Sequence, residues 1–501
     1  MDAVVSLFGG IAATLTWPAL FYSLLGVTLG MVVGVLPGVG PMAAIALLLP
    51  VTFHISPSEA LIMLAGIYYG AQYGGSITSI LLNLPGNASS AVVCIDGHPM
   101  ARQGRAGVAL SITTLGSFIG SNLAIVLLVA FAVPLASVAL QFSAADYFSM
   151  MLLGLIAAAT LSQGSVVKGI VMVLFGIVLG CVGSDVNSGA QRFTYGFVGL
   201  WDGISIVAVA MGFFGVTEVI SNLREPSQSA HITNVKWRNL WPSKKDLKDS
   251  SGPILRGSLL GSLFGILPGT GTAISAFLAY LVEKKISKTP ERFGKGAIEG
   301  IASAESANNA TAQSAFIPTL TLGIPADGVM ALLLAAMMIH GIQPGPRFLT
   351  DHPEIFWGLV GSFVVGNLLL VILNLPLIGI WVKMLSIPYR YLGPLIVLLI
   401  GIGVYGIKNN AGDILFVVAF GAVGYILHKL RFQAAPLLLG LVLGPMIEEN
   451  LRRALLLSRG NYLVFLERPI SAVFVVLTVL LLVSSVWSPW KAFKKRADAT
   501  A

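Results

Sequence analysis

The chain has 501 residues, of which 56% are hydrophobic and only 10% charged, with a net charge of +8 and two cysteines. An ordinary soluble domain carries about 25% charged residues, so this composition excludes a soluble globular protein. Apolar runs of roughly 15–25 residues recur from end to end, which predicts a polytopic, all-α membrane protein. The basic residues lie between these runs and in the tail WKAFKKR (490–496). This placement is typical of the cytoplasmic loops of a membrane protein, so the positive charge does not indicate nucleic-acid binding.

The first half of the chain holds seven predicted helical segments ahead of a polar linker. The N-terminus MDAVVSLFGG has no basic stretch, so a cleaved signal peptide is not expected. The linker, 221–253, carries Arg224, Lys236, Arg238 and further lysines, which predicts a cytoplasmic location. The segments are 17–36, 41–53, 58–82, 106–135, 144–162, 165–182 and 203–221.

The second half begins with a segment that is broken at LPGTG and lies between two basic stretches, the linker and the loop 282–296. Both stretches favour the cytoplasm, so 253–282 is predicted to be a re-entrant hairpin or broken helix, with 17–53 as its counterpart. The last segment has arginines before it and a basic tail after it, which leaves its orientation open. The segments are 253–267, 272–282, 299–322, 326–340, 354–385, 388–406, 411–429, 434–451 and 469–487.

The two halves repeat one another in sequence. The first matched pair is offset by 231 residues and the second and third by 245, because the second half has extra residues around EKKISKTPERFGKG. Several matches in the same order indicate an internal duplication. The pairs are GVLPGVG (34–40) with GILPGTG (265–271), GSFIGSNL (116–123) with GSFVVGNL (361–368), FG (175–176) with FG (420–421), and NLPG (83–86) with GIPA (323–326).

The charges of matched loops favour inverted rather than parallel repeats. Loop 53–58 has no Lys or Arg, whereas its counterpart at 282–296 is strongly basic. Loop 94–106 carries Arg102 and Arg105, whereas its counterpart 340–354 is slightly acidic. Corresponding loops thus prefer opposite sides of the membrane. We therefore expect two inverted repeats with broken or re-entrant helices and roughly 10–12 transmembrane segments. The predicted units are 1–221, the cytoplasmic linker 222–252, 253–451, and an extra helix with a basic tail at 452–501.

Each half contains two Gly/Pro breaks in otherwise apolar segments. Pro removes a backbone donor and Gly tolerates unusual dihedrals, so together they unwind a helix, whose freed carbonyls can coordinate Na⁺. The alternative is an ordinary kink without a ligand. Glu305 is an intramembrane acid, or else an acid at the aqueous mouth of its helix near Glu299. The predicted ion-coupling residues are Pro37, Gly38, Gly40, Pro268, Gly269, Thr270, Gly271, Glu305, Gly323 and Pro325, with Na⁺ at the breaks as the only candidate cofactor.

Polar side chains cluster beside the breaks. Residues 68–90 and 302–316 offer amides and hydroxyls, which can donate to an anion and accept from a small cation. We therefore expect these stretches to line a transport site. The predicted substrate-binding residues are Ser76, Thr78, Asn83, Asn87, Ser306, Asn308 and Asn309.

No enzyme motif is found, and no catalytic residue is predicted. The chain has no GxxxxGK[ST] loop, no HExxH and no CxxC pair. EENLRR (448–453) fits the EExxxR pattern of intramembrane proteases, but His340 and His428 do not lie in the accompanying motifs. We interpret EENLRR as a charged helix end and keep an intramembrane hydrolase as the alternative that a peptidase assay of a Glu448→Ala variant would test.

Several stretches, GVLPGVGPMAAIALLLP, IYYGAQYGGSITSILLNLPG, ESANNA and IPTLTLGIPADGVMALLLAAM, resemble the large membrane subunit of tripartite tricarboxylate transporters, the TctA family. The resemblance covers essentially the whole chain. It implies a multi-pass permease of the bacterial inner membrane, with a small TctB-like membrane subunit and a periplasmic, TctC-like solute-binding protein as partners. It also implies secondary uptake of tricarboxylates or related carboxylates by Na⁺ or H⁺ symport with alternating access. The alternative is a stand-alone carboxylate carrier or channel.

Overall fold

The computed structural model describes residues 2–36, 40–161, 165–185, 188–224, 240–267, 269–384, 389–408 and 411–497. Within these residues the regular structure is helical apart from one small antiparallel hairpin, β1 Gly183–Ser184 with β2 Gln191–Arg192. In the first half the helices are α1 Asp2–Thr14, α2 Trp17–Val35, α3 Pro41–Thr52, α4 Pro57–Leu82, α5 Ala91–Met100, α6 Ala106–Ala139, α7 Ala144–Leu161, α8 Val166–Gly180, α9 Ile206–Ala210 and α10 Thr217–Arg224.

The second half is built in the same way from longer and shorter helices. Several begin at a Pro or at a side-chain cap, as at Ser243, whose hydroxyl and Asp246 form a capping box. The helices are α11 Lys244–Ile266, α12 Gly271–Ile286, α13 Ile298–Ser314, α14 Phe316–Leu322, α15 Gly328–Ile339, α16 Phe348–Asp351, α17 Pro353–Asn374, α18 Ile378–Met384, α19 Tyr389–Lys408, α20 Ala411–Lys429, α21 Ala435–Leu457, α22 Val464–Glu467 and α23 Pro469–Ala497.

Among the described residues, four helical stretches are long and apolar enough to cross a membrane: Trp17–Val35, Ala91–Ala139, Pro353–Asn374 and Gly412–Lys429. Shorter apolar helices, such as Pro41–Thr52 and Gly328–Ile339, accompany them. Helices satisfy their own backbone hydrogen bonds in hydrocarbon. The chain is therefore a multi-pass, nearly all-α membrane protein, as its composition predicts.

The predicted elements differ from the observed ones mainly around α5. The sequence predicts a loop at 94–106, but the chain there is helical through Met100 and continues into α6 through a π-helical turn. The reason is tertiary: the fully buried carboxylate of Asp96 accepts three backbone N–H groups of the turn 294–297 at 2.7–2.8 Å and the hydroxyl of Tyr280 at 2.9 Å. A polar residue that looks like a loop signal is instead a buried anchor.

The predicted linker also contains structure. α11 begins at Lys244, inside the range 222–252 that the sequence assigns to the linker, whereas residues 225–239 lie outside the described part of the chain. The guanidinium of Arg105, just before α6, pairs with Asp246 in the first turn of α11. The start of α11 is thereby held at the end of the bundle where α5 ends and where the turn 294–297 lies.

Glycine spacing brings the paired helices into close contact. In α2, Gly26, Gly30 and Gly34 lie against the backbone of α4, where an added Cβ would meet main-chain oxygens at 2.3–2.5 Å. In α11, the glycines 231 positions later lie in the same way against α13. Small residues at four-residue spacing let membrane helices approach closely. The same close glycine packing therefore occurs in both halves. Its two copies are 231 residues apart, as are GVLPGVG and GILPGTG.

At their interface, each half packs one of its helices against a helix of the other half. α6 of the first half packs on α13 of the second, and the matched helix α17 packs on α4. α4 runs antiparallel to α13 and α14, because Tyr68 contacts Phe316 while Ser76, further along α4, contacts Glu305, which is earlier in the chain. The centre of the molecule is therefore formed jointly by α4, α6, α13 and α17.

The segment 253–282 is broken as predicted. α11 ends at Ile266 and α12 begins at Gly271, and α12 folds back along α11. Arg256 in α11 forms two hydrogen bonds of 2.7 and 2.9 Å with Glu283 near the end of α12. Both arms of this hairpin therefore reach the same end of the bundle, which agrees with the predicted hairpin.

The direction of the last segment, α23, relative to the other helices follows from its contacts with α7. Arg468, just before α23, pairs with Asp146 in the first turn of α7, and Ser471 contacts Ser149, so both helices begin at one end. α7 ends where α8 begins, and the chain then crosses back once more before the linker. The C-terminal end of α23 and the end of α10 at Arg224 therefore lie at the same end of the bundle.

Candidate functional site

All four chain breaks converge on one cavity of about 690 Å³. The breaks lie between α2 and α3, α4 and α5, α11 and α12, and α14 and α15. A cavity of this size accommodates a small organic anion with room for water. Its walls at the breaks are formed by Gly40, Gly86, Asn87, Gly269, Thr270, Gly271, Asp327 and Gly328.

Two helices, α3 and α12, start at this cavity without a side-chain cap. α3 begins at Pro41 and α12 at Gly271, and neither N-cap makes a side-chain hydrogen bond. The hydroxyl of Thr270 instead donates backward, to the carbonyls of Phe264 and Leu267 at 2.5 and 2.9 Å. The first N–H groups of a helix and the positive end of its dipole attract anions. The two first breaks thus present an anion-binding environment from opposite halves.

The two second breaks share one local structure. Asn83 ends α4 with φ of 59° and Gly323 ends α14 with φ of 71°, the left-handed conformation that stops a helix. Four residues later Asn87 and Asp327 each accept, through the side chain, the N–H of the residue three positions on, at 2.9 Å in both cases. The sequence match NLPG with GIPA therefore corresponds to the same break geometry in both halves.

Acidic side chains line the cavity. The carboxylate of Asp327 accepts the hydroxyl of Tyr68 at 2.8 Å, and Glu218 accepts the N–H of Gly40 at 3.5 Å. His428 is also in the wall. Among the described lining residues there is no Lys or Arg. The described wall of this cavity therefore places backbone N–H groups of helix starts next to two carboxylates.

Asn87 fastens the second break to α4. Its Nδ2 donates to the carbonyl of Ala71 at 3.2 Å and to Oε1 of Gln72 at 3.1 Å, and the hydroxyl of Ser89 donates to the same Oε1 at 2.9 Å. Both Gln72 and Asn87 line the cavity. This wall of the cavity is therefore attached to α4.

A second polar region lies deeper, on helices that run without interruption. Oε1 of Glu305 accepts hydrogen bonds from Ser117 at 3.2 Å, Ser76 at 3.4 Å, Asn309 at 3.0 Å and Asn308 at 3.4 Å. These residues come from α4, α6 and α13. We call them the Glu305 cluster. Glu305, Asn308 and Asn309 have no exposed surface. The residues of the cluster are not among those that line the cavity at the breaks.

Several acceptor atoms of this cluster have no donor among the described residues. They are Oε2 of Glu305 and Oδ1 of Asn308 and of Asn309. Buried polar atoms are nearly always satisfied, and buried charges are paired or coordinate metals. The Glu305 cluster is therefore incomplete as a purely structural hydrogen-bond network.

The chain matches the tripartite tricarboxylate transporter TctA family over residues 20–439. It belongs to the TctA family. It is 52% identical over 472 residues, covering 94% of each chain, to an Agrobacterium vitis protein described as an uncharacterized 52.8 kDa protein in the TAR-I ttuC′ 3′ region. It is 57% identical to a second one, described as an uncharacterized protein in the TAR-II ttuC′ 3′ region, over 212 residues or 42% of this chain and 88% of that one. No solved structure matches the chain.

The predicted site of this TctA subunit separates into two places. Gly40, Gly269, Thr270, Gly271 and Asn87 line the cavity, whereas Ser76, Asn308, Asn309 and Glu305 form the buried cluster. Glu305 is not at an aqueous mouth, so that alternative is wrong. Glu299, one turn and a half earlier, is the residue that pairs with Arg292 at the helix start.

Other predicted site residues have local roles in the structure. Thr78 donates to the carbonyl of Val35 at 2.6 Å, and Ser306 to that of Ser303 at 3.1 Å. Asn83 is exposed, and Gly323 and Pro325 are buried behind the second break. Pro37, Gly38 and Pro268 lie outside the described residues.

Sequence reasoning missed Glu218, Asp327 and Tyr68 as cavity residues. A signal was available: Asp327 is the single acid in the segment IPTLTLGIPADGVMALLLAAM, and Glu218 is a lone acid in the apolar run VAVAMGFFGVTEVI. An acid inside an apolar segment is a functional candidate by default. Tyr68 carried no such signal, because only the fold brings it to Asp327.

The EENLRR segment is a charged helix end, as interpreted from sequence. Glu448 pairs with Arg192 at 2.8 Å and with Arg452 at 2.7 Å, and Arg452 also reaches Asp185. His428 lies in the cavity wall, and His340 contacts Phe53. A carboxylate held between two guanidinium groups is a structural ion pair. The family is one of transporters, which agrees with the absence of a predicted enzyme activity.

Proposed function

We propose that this TctA subunit is the large permease subunit of a secondary transporter that takes up tricarboxylates or related carboxylates by cation symport. The observation that carries the proposal is the cavity onto which α3 and α12 open with uncapped N-termini. Several N–H groups converging from opposite sides suit a solute with more than one carboxylate. We assign the anion to this cavity, with the amide of Gln72 as a side-chain donor in its wall.

The acids in the cavity favour symport over a channel. An anion placed beside Glu218 and Asp327 is repelled unless cations or protons enter with it. A passive anion pore would instead be lined with basic side chains. The predicted Na⁺ sites at Gly40, Gly269–Gly271, Gly323 and Pro325 belong to this proposal, as does coupling through Glu305.

Inverted repeats would supply alternating access. Support comes from the antiparallel course of α4 and α13, from the exchanged packing of α6 and α17, and from the matching breaks at Asn83 and Gly323. We propose repeats at 1–221 and 253–451, joined by the linker 222–252, with 452–501 as an added helix and tail. The broken elements would move as one bundle against the uninterrupted helices.

Partner dependence follows from the family. TctA proteins are the large subunits of tripartite systems. We propose that this chain works in the bacterial inner membrane with a small TctB-like subunit and a periplasmic TctC-like binding protein. The linker and the tail would then face the cytoplasm.

Uptake of labelled citrate into proteoliposomes tests the proposal. The vesicles contain this chain, the small subunit and the cognate binding protein, with an imposed Na⁺ gradient. Uptake that needs all three proteins and collapses without Na⁺ is the expected result. Uptake without the binding protein would favour a stand-alone carrier, and its absence for citrate would direct the same assay to other carboxylates. Failure with every carboxylate would contradict the proposal.

A further inference from the structure

We propose that the Glu305 cluster binds one Na⁺ ion in a buried site that is separate from the cavity. The inference deepens the proposed function and rests on it only for the role of the ion in uptake. Binding itself can be measured on the purified chain. It places one Na⁺ ion on side chains of α4, α6 and α13, in addition to the sites proposed on the backbone of the Gly/Pro breaks.

Four polar side chains converge on one carboxylate oxygen, Oε1 of Glu305. The hydroxyls of Ser76 and Ser117 come from α4 and α6, and lie 3.4 and 3.2 Å from Oε1 of Glu305. The amides of Asn308 and Asn309 lie 3.4 and 3.0 Å from the same atom. The cluster therefore brings five polar side chains, Glu305 included, together from three helices.

The amides are ready to act as ligands. Their NH₂ groups now donate to Glu305, while both Oδ1 atoms have no donor among the described residues. A half-turn of a side-chain amide about its last torsion exchanges donor and acceptor. After that turn, both Oδ1 atoms face the carboxylate side, and a cation there would have carboxylate, amide and hydroxyl oxygens as ligands.

The charge of the site requires a cation. Glu305 is fully buried, and every hydrogen-bond partner described for its carboxylate is a neutral hydroxyl or amide. A buried carboxylate without a counter-ion is very costly, so it takes up a metal ion or a proton. A proton on Oε2 would supply one donor, enough for one of the two amide oxygens, whereas a metal ion would take both as ligands.

One carboxylate selects the charge of that ion. Divalent cations such as Ca²⁺ and Mg²⁺ are usually held by two or more carboxylates or by several waters. In the described residues no group of three or more His, Cys, Asp and Glu side chains forms a metal site. A single negative charge among neutral oxygens therefore suits a monovalent ion, and we propose Na⁺ for this buried site.

The cluster is linked to the cavity through α4. Ser76 belongs to the cluster, and Gln72 and Tyr68, one and two turns earlier on the same helix, line the cavity. At 1.5 Å per residue these positions are roughly 6 and 12 Å apart along the axis. An ion that draws Ser76 toward Glu305 would thus fix the helix that carries one wall of the solute cavity, which would couple the two sites without direct contact.

The test measures thermal unfolding of the purified full-length chain in detergent, with NaCl replaced by choline chloride at constant ionic strength and at two pH values. Na⁺ should raise the Tm of the wild type, because a ligand that binds only the folded state stabilises it. Glu305→Gln should weaken the apparent Na⁺ affinity at least tenfold. Glu299→Gln, on the same helix and paired with Arg292, is the matched control and should keep the wild-type response.

The outcomes separate Na⁺ from a proton. A Tm that ignores Na⁺ but depends on pH in the wild type and not in Glu305→Gln would overturn the proposal in favour of a protonated acid. A Na⁺ response that Glu305→Gln retains would also overturn it. If Glu305→Gln does not fold, Ser117→Ala keeps the carboxylate, removes one ligand and should weaken Na⁺ affinity several-fold. Normal Na⁺ binding without citrate uptake would count against the proposed function alone.

Discussion

The cavity and the Glu305 cluster lie against the same helix, α4, but they are made in opposite ways. The cavity is walled by backbone, where four helices are interrupted and two begin without a cap. The cluster is walled by side chains on helices that run through without a break. The cavity is open to a solute, whereas the core residues of the cluster have no exposed surface.

Under the two proposals, this difference lets one fold recognise two ions of opposite charge. Helix N-termini present N–H groups, which bind anions, and they need a break to be reached. Amide, hydroxyl and carboxylate oxygens bind a small cation, and they hold their geometry best on rigid, packed helices. The following variants either separate the two regions or show that they act as one.

The largest expected effect comes from the cluster. Asn309→Leu removes donors to Ser117 and Glu305 and a candidate Na⁺ ligand. Uptake should be abolished, while membrane insertion is retained; Asn308→Leu should behave alike. Uptake of labelled citrate and protein content of the vesicles measure this. The control is Asn122→Leu, since Asn122 only donates to Phe118 of its own helix. Unchanged uptake in Asn309→Leu would remove the cluster from the mechanism.

Filling the cavity should produce a large effect of a different kind. Ala273→Trp places an indole in the wall beside the start of α12. Uptake should fall by more than about tenfold, because each 1.4 kcal/mol of lost solute binding costs a factor of ten. The Na⁺ response of the Tm should persist, since the cluster is separate. Leu281→Trp, at an exposed position of the same helix, is the control. Simultaneous loss of the Na⁺ response would show that the two regions are one site.

A smaller effect, on stability, is expected at the first break of the second half. Gly269 has φ of +82°, and a Cβ there would lie 2.4 Å from the backbone nitrogen of Ala158. Gly269→Ala should therefore destabilise the fold by about 2–4 kcal/mol. Gly271→Ala has open space and only the strain of φ +60°, so a loss of about 1 kcal/mol is expected. Equal Tm values for the two variants would mean that α7 does not constrain the break.

The smallest effect lies outside both regions, at the start of α11. Although partial burial opposes it, hydrogen bonds from Ser243 and the charge of Arg105 hold the pKa of Asp246 below its ordinary value. Stability from this carboxylate is present above its unfolded pKa of about 3.9 and is lost as the pH falls through the lower folded value. Asp246→Asn should cost about 1 kcal/mol at neutral pH and nothing in acid. Its uptake and Na⁺ response should equal those of the wild type.

Much of the organisation was readable from sequence because it rests on local physics. Gly and Pro interrupt helices wherever they pair, so LPGVG, LPGTG, NLPG and GIPA predicted all four breaks. The repeat was recognised from these motifs. A further periodic signal, glycines at four-residue spacing in α2 and α11, was overlooked although it has the same offset of 231.

The division of the predicted site into two was not readable. Ser76 and Asn87 lie in one polar stretch of sequence, yet one points to Glu305 and the other lines the cavity. Along a helix a few residues of spacing decide which neighbour a side chain meets. Which neighbour lies there depends on helices from the other half of the chain.

Composition and Gly/Pro placement thus determined a membrane protein of broken helices, whereas the resemblance of its motifs pointed to the family that the match over residues 20–439 shows. The tertiary structure alone decided that the breaks meet at one cavity, that Asp327 and Glu218 line it, and that Glu305 is closed off with Ser117. The physical reason is the separation along the chain over which each effect acts. Propensity and hydropathy act within a few residues, whereas Glu305 and Ser117 are 188 positions apart and meet only because α6 packs on α13.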